Sequence, residues 1–197
     1  MKLRPSWIVL LVPLVIAIPA IFVSSTNVSA RMIFETLPLI GGATSGTTFT
    51  RRCPDNHVLT GLRWRKGLVL DGVGIKCRPV SSSGSLGAEN NYGTMAGGNG
   101  GTGGSDGCGP ANVQEVVAGQ RGGSSGVGVA GLVLACHPWL ASSKAWGGGT
   151  PTSRIEVLFN APQLNQHTCA DAKKPAVGIT GRHGSIIDAF ALICDTP

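Results

Sequence analysis

The sequence predicts an all-β protein built from three copies of one cysteine-bounded unit, and three observations predict it. Glycine is abundant, with 30 in a chain of 197 residues, and Gly or Pro interrupts every stretch that could hold a long helix. The six cysteines fall into successive pairs of similar spacing: Cys53 and Cys77, Cys108 and Cys136, Cys169 and Cys194. Before each second cysteine stands a run with the two-residue alternation of a strand, bulky on one face and mostly small on the other.

The chain opens with a segment, residues 1–30, that reads as an export signal. Lys2 and Arg4 form a short positive start, Trp7 to Val23 is apolar and uncharged, and Val28-Ser29-Ala30 has the small-x-small pattern cut by signal peptidases. Pro13 and Pro19 break the apolar run, which is short for a bilayer span. Cleavage after Ala30 would remove 30 of the 197 residues and leave 167, which suits one domain at 31–197. An uncleaved segment would instead tether the chain to a membrane. The leader holds two of the 16 basic residues and none of the 10 acidic ones, so the remainder carries 14 against 10, a net charge of +4. That balance, with export and no aromatic interleaving, argues against nucleic acid as a partner. The expected location is extracellular, where an even number of cysteines should pair.

The repeat is clearest between the first and third copies. Aligned backwards from the closing cysteine, Gly61 matches Gly178, Leu62 matches Ile179, Arg65 matches Arg182, Gly67 matches Gly184, and Asp71 matches Asp188. The second copy keeps Gly119 and an Arg121-x-Gly123 pair and drifts elsewhere. Two and four residues before the closing cysteines stand Ile75 and Val73, Leu134 and Leu132, Leu192 and Phe190, which share a face with their cysteine and should meet in a common core. The repeat selects one pairing among the many open to six cysteines: Cys53–Cys77, Cys108–Cys136 and Cys169–Cys194. Each bridge closes a loop of roughly 25 residues, worth about 3 kcal/mol on the chain-entropy model. The units extend over 41–80, 97–138 and 147–197, each expected to fold as its own clasped sheet.

Glycine signatures open the units. They run from Gly41 to Phe49, Gly97 to Gly103 and Gly147 to Thr150, and in the first two a Gly-Thr pair (Gly46, Gly101) starts seven residues before the opening cysteine. Arg154 to Phe159 reads as another strand. Residues 81–106, almost all Ser, Gly, Asn and Ala, read as a flexible connection between units.

The stretch VGITGRHGSIIDAFALIC, Val177 to Cys194, resembles the end of a jacalin-related lectin domain. There a Gly-Arg-x-Gly run leads into Gly-x-x-x-Asp and a final strand. The GGNGG segment, Gly97 to Gly101, resembles that family's opening glycine loop, and the likeness covers residues 41–197. It implies a β-prism of three Greek-key antiparallel sheets with pseudo-threefold symmetry, here with one disulfide per repeat. A cysteine near each end of a unit is closer to the β-prism of vitelline membrane outer layer protein I type, an extracellular-coat protein.

The lectin resemblance implies carbohydrate binding at Gly184, Ser185, Ile186, Ile187 and Asp188, and in the first copy at Gly67, Leu68, Val69, Leu70 and Asp71. Glycine lets the backbone turn so that N–H groups converge, and the carboxylate adds acceptors for vicinal hydroxyls. No aspartate lies between Arg121 and Cys136, so the second copy should lack such a site. Two readings stay open: a secreted module whose partners are glycans or glycoconjugates, and a non-enzymatic structural protein of an extracellular coat. The sequence permits an oligomer without specifying one.

Other features each have two readings. Trp64 either stacks on a sugar or covers the core edge, and Trp139 and Trp146 either cap one end of the prism or line a groove. Arg51, Arg52, Arg63, Arg65, Lys66, Lys76 and Arg78 either attract anionic glycans or form a solvated face. No catalytic residue, cofactor or metal is expected. The G-x-S-x-G pattern at Gly122 to Gly126 and the G-x-G-x-x-G patterns at Gly98 to Gly103 and Gly126 to Gly131 open no helix. His57, His137, His167 and His183 lack metal-ligand spacing, and Asp71 and Asp188 belong to separate copies rather than to one carboxylate pair.

Overall fold

Alternating apolar positions and short turns make the chain a succession of strands in the computed structural model. It describes residues 34–41, 46–110, 112–121, 128–147, 150, 152–156, 165–169 and 174–195; the leader expected at 1–30 lies outside them. Along the chain come β1 (Phe34–Thr36), β2 (Ile40–Gly41) and β3 (Thr47–Arg52). Then follow β4 (His57–Lys66), β5 (Leu70–Pro79), β6 (Asn90–Gly97) and β7 (Thr102–Gly107). Next are β8 (Asn112–Arg121), β9 (Val129–Leu140), β10 (Ala145–Trp146), β11 (Ser153–Glu156) and β12 (Asn165–Thr168), and last β13 (Ala176–His183) and β14 (Ile187–Asp195).

These strands form three antiparallel sheets. One is ordered β6-β5-β4-β7; a second is β10-β9-β8-β12 with β11 also on β9; the third is β1-β14-β13-β3 with β2 also on β14. Each has a central hairpin, a return strand beside its second member and a last strand beside its first, which is the Greek-key order. The three hairpins share the same two irregularities: register shifts fall at Leu59/Gly61 and Arg65/Lys66, at Gln114/Val116 and Gln120/Arg121, and at Ala176/Gly178 and Arg182/His183. The expected β-prism of three Greek-key sheets, with pseudo-threefold symmetry and one disulfide per repeat, is present.

The bulky faces meet as expected. Val73, Ile75, Leu132, Leu134, Phe190 and Leu192, with Cys77, Cys136 and Cys194, lie in one buried cluster. In β14 the small face is buried too, at Ala189, Ala191 and Ile193. Arg154 to Phe159 is a strand over β11 as far as Glu156; Val157 to Phe159 lie outside the described residues.

Three expectations need correction. First, a cysteine-to-cysteine unit is not one sheet. The Cys53 N–H donates to the Val177 carbonyl at 2.9 Å, continuing the pairing of β3 with β13, and the Cys108 N–H donates to the Thr60 carbonyl at 2.7 Å, continuing that of β7 with β4. Each opening cysteine therefore ends the fourth strand of one sheet, while its partner lies in the hairpin of the next. The pairing itself, Cys53–Cys77, Cys108–Cys136 and Cys169–Cys194, is as expected. The bridges tie sheet to sheet in a closed ring rather than clasping one sheet each. Repetition in sequence fixes the period of a fold; backbone pairing decides where each sheet is cut.

Second, residues 81–106 are not a flexible connection. They contain β6 and most of β7, paired along β5 and β4. Their Gly, Asn and Ser content carries no strand propensity, and neighbouring strands impose the extended backbone. Third, the second copy aligns differently. Gln120, opposite Gly131, takes the place of Arg65 opposite Gly72 and Arg182 opposite Ala189, while Arg121 pairs with Val129 at the mouth of a longer connection.

Because each bridge joins two sheets, replacing Cys108 and Cys136 by Ser should lower stability by about 3 kcal/mol. Thermal unfolding of the oxidised double variant checks this, and an unchanged melting temperature would refute the inter-sheet staple.

Candidate functional site

At one end of the prism, each of two hairpin loops stands beside a glycine segment. In the first, Gly67, Leu68 and Val69 connect the paired residues Lys66 and Leu70. In the second, Gly184, Ser185 and Ile186 connect His183 and Ile187. The loops have the same internal bond, Gly67 N–H to the Val69 carbonyl and Gly184 N–H to the Ile186 carbonyl, both 3.0 Å. Gly67, Leu68, Gly184 and Ser185 are exposed, and Val69 and Ile186 half-buried. Leu70 and Ile187 belong to the core cluster, so what they can offer a ligand is backbone alone.

Each aspartate abuts a glycine from the fourth strand of its own sheet. Gly101, at φ +62°, leads into β7; Gly46, at φ +75°, leads into β3. A Cβ on Gly101 would meet Lys66 backbone and come 2.5 Å from Asp71 Oδ2; one on Gly46 would collide with Asp188 Oδ2. Only glycine tolerates both this φ and this approach. An arginine holds each glycine in place. The Arg65 Nε–H donates to the Gly100 carbonyl at 2.8 Å and an Arg65 Nη–H to the Gly101 carbonyl at 3.0 Å; an Arg182 Nη–H donates to the Gly46 carbonyl at 2.9 Å. Residues 42–45, between Gly41 and Gly46, lie outside the described residues.

A carboxylate stands at the centre of each arrangement, and that of Asp71 has an acceptor left over. Asp71 Oδ2 is buried and finds no hydrogen-bond donor among the described residues. Asp188 is only 6% exposed. A buried acceptor without a partner is costly, so Asp71 Oδ2 marks a place that can receive a donor.

The glycine signatures and the Arg65–Arg182 match were visible in the sequence, but their assembly into Asp·Gly·Arg clusters was not. Gly97 to Gly103, which in sequence opens the second unit, closes the sheet that carries Asp71. The glycine loop belongs to the hairpin behind it, because its flanking strands pair there.

Other candidates are placed as follows. Trp64 is half-buried against the core, lies over Gly104, and donates Nε1–H to Asp106 Oδ2 at 3.4 Å, which is the core-edge reading. Arg51 bonds Thr94, Arg63 the Gly93 carbonyl and Arg78 the Gly87 carbonyl, while Lys76 pairs with Glu89. Much of the basic set thus laces the edge strands. Residues 122–127, where the second copy should lack a site, lie outside the described residues.

No protein-family model and no curated protein sequence matches the chain. Solved structures do. Wild-type Malaysian banana lectin is 15% identical, with 84% of this chain and 99% of that one covered and a TM-score of 0.52. A mannose binding jacalin related lectin from Ananas comosus is 20% identical, with 83% and 99% covered and a TM-score of 0.51. Artocarpin complexed with Me-alpha-mannose is 12% identical, with 85% and 99% covered and a TM-score of 0.56. Three Greek-key sheets around one core, and this likeness along nearly the whole length of each neighbour, give the chain the β-prism fold of the jacalin-related lectins.

Proposed function

We propose that the protein is an exported, non-enzymatic glycan-binding protein of lectin type that holds sugar hydroxyls at Asp188 and Asp71. The observation that carries this reading is a carboxylate packed on an arginine-held glycine turn, built twice, with an unfilled buried acceptor on Asp71. A sugar's vicinal hydroxyls would donate to the carboxylate, and the loops Gly67–Val69 and Gly184–Ile186 would add backbone N–H groups at the rim. The coat reading needs carboxylates spent on internal partners, which no described residue provides for Asp71 Oδ2. Solved lectins of the same fold, one mannose binding and one holding Me-alpha-mannose, support sugars as the partner class. The export-type leader and the three disulfides support an extracellular location. Asp71 and Asp188 lie in different sheets, which supports a binding rather than a hydrolytic role.

Glycan-array screening of the oxidised protein should give hits, with methyl α-mannoside as the first soluble competitor. Asp188→Asn and Asp71→Asn should each weaken their own site by roughly ten- to a hundredfold, the loss of a charged hydrogen-bond partner worth about 1.5–3 kcal/mol. The double variant should bind nothing while melting no lower than the parent, since it removes uncompensated buried charge. Retained binding in the double variant would sink the assignment, and so would an array without hits.

Gly101→Ala separates the two sites. A methyl at that φ must displace the Lys66 backbone and crowd Asp71, so stability should fall by about 1–3 kcal/mol. Calorimetric titration should then show binding lost at the Asp71 site and kept at the Asp188 site.

A further inference from the structure

A cavity of about 520 Å³ opens where the hairpin strands end, away from the Gly-x-x-x-Asp loops. That volume suits a small molecule. Its floor is apolar: Val58, Pro175 and Val177 are buried, and Val80 and the Trp139 indole are half-buried. The walls are fixed by backbone. The Val80 N–H donates to the Asn56 carbonyl at 2.7 Å, the Asp195 N–H to the Pro175 carbonyl at 3.1 Å, and the Trp139 Nε1–H to the Gly84 carbonyl at 2.6 Å. The indole has therefore spent its donor and offers the cavity a ring face.

The rim is charged. Arg52 and Asp195 stand on it, and both are engaged in other interactions. Of the remaining charges, Lys144 and Lys174 outnumber Asp55, and neither lysine pairs with a carboxylate among the described residues. Backbone conformation is a separate observation. Among the described residues, the non-glycine positions with positive φ are Asn56 (57°) and Lys144 (47°), and both line this cavity. Asparagine adopts that region readily, but lysine does so at a cost that glycine would avoid. A lysine kept there holds an ammonium group at the rim against local preference.

We infer that this cavity binds a small organic carboxylate with an apolar body, its anionic end between Lys144 and Lys174 and its body on Val58, Val177 and the Trp139 ring. The carboxylate gains two charge-assisted donors, and the body covers the half-buried faces of Val80 and the Trp139 ring over that buried floor. The site is independent of the sugar reading, because it shares no residue with the Asp71 and Asp188 loops.

Calorimetric titration of the oxidised protein with octanoate and with phenylacetate tests this, with octanamide as the uncharged control. Binding of octanoate alone would assign an alkyl acid, of phenylacetate alone an aryl acid. Octanamide should bind at least tenfold more weakly than octanoate. Lys144→Gly should lower carboxylate affinity about tenfold without lowering the melting temperature, because glycine is relaxed at that φ. Adding Lys174→Gln should abolish binding, whereas Asp71→Asn with Asp188→Asn should leave it unchanged. The proposal falls if neither acid binds, if octanamide binds as tightly as octanoate, or if Lys144→Gly binds like the parent.

Discussion

The pairing of β3 with β13 is the contact on which the rest of the structure depends. Six residues, Thr47 to Arg52, run antiparallel to His183 through Gly178. The Thr180 hydroxyl donates to the Phe49 carbonyl across 131 positions of sequence, and Phe49 itself is buried. Without this strand β13 would be a bare edge, an open template for another chain. Gly46 would not reach Asp188, and Cys53 would not be carried to Cys77. One strand therefore closes the ring of sheets, completes one carboxylate cluster and positions one disulfide. Closing so long a loop is entropically demanding, and contacts of this separation form slowly. The inter-sheet bridges offset that demand by restricting the unfolded chain.

Around the two aspartates, local preferences are broken together. Gly46 and Gly101 sit at positive φ, each pressed against a carboxylate that packing alone would not place there. Elsewhere Lys76 meets Glu89, and Arg63 donates an Nη–H to a carbonyl of β6 while its buried Nε–H finds no acceptor among the described residues. Arg65 and Arg182 stand beside the two glycine turns. Their guanidinium forks hold glycine carbonyls rather than the nearby carboxylates, which keeps those carboxylates available. A lysine could not hold two carbonyls in one fixed geometry as Arg65 does, so that position is not interchangeable with the other basic residues.

What the sequence disclosed follows from what repeats and alternates. Val73, Ile75 and Cys77 announce their shared face by spacing alone, and the structure buries all three. The repeat of cysteine-bounded units gave the disulfide pairing. What stayed hidden depends on partners that a sequence does not name. β6 and β7 are written in Gly, Asn, Thr and Ser, and only the ladders to β5 and β4 make them strands. The boundary between units was hidden too, since Cys53 reads as the start of a repeat and hydrogen-bonds as the end of a sheet. The Gly-x-x-x-Asp loops were legible as a pattern; that Leu70 and Ile187 turn inward to the core was not, because each stands three residues before Val73 or Phe190, out of phase with the alternation, and the register shifts at Asp71 and Asp188 bring them in.

In the second copy Gln120 stands at the register position that Arg65 and Arg182 hold in the other hairpins. The end of its longer connection serves a neighbour. Gly128, at φ +77°, packs so closely on the Asp188 hairpin that a Cβ there would lie 2.8 Å from Ile186 Cδ1 and 3.3 Å from the Ile187 carbonyl. Gly98, beside the Asp71 cluster, packs equally tightly on the Ser185 carbonyl. The Asp188 hairpin is thus braced on both sides by glycines from the other two sheets. The same packing sets the loop of the Asp188 cluster against the glycine segment of the Asp71 cluster, so a shift in one hairpin would be felt by the other.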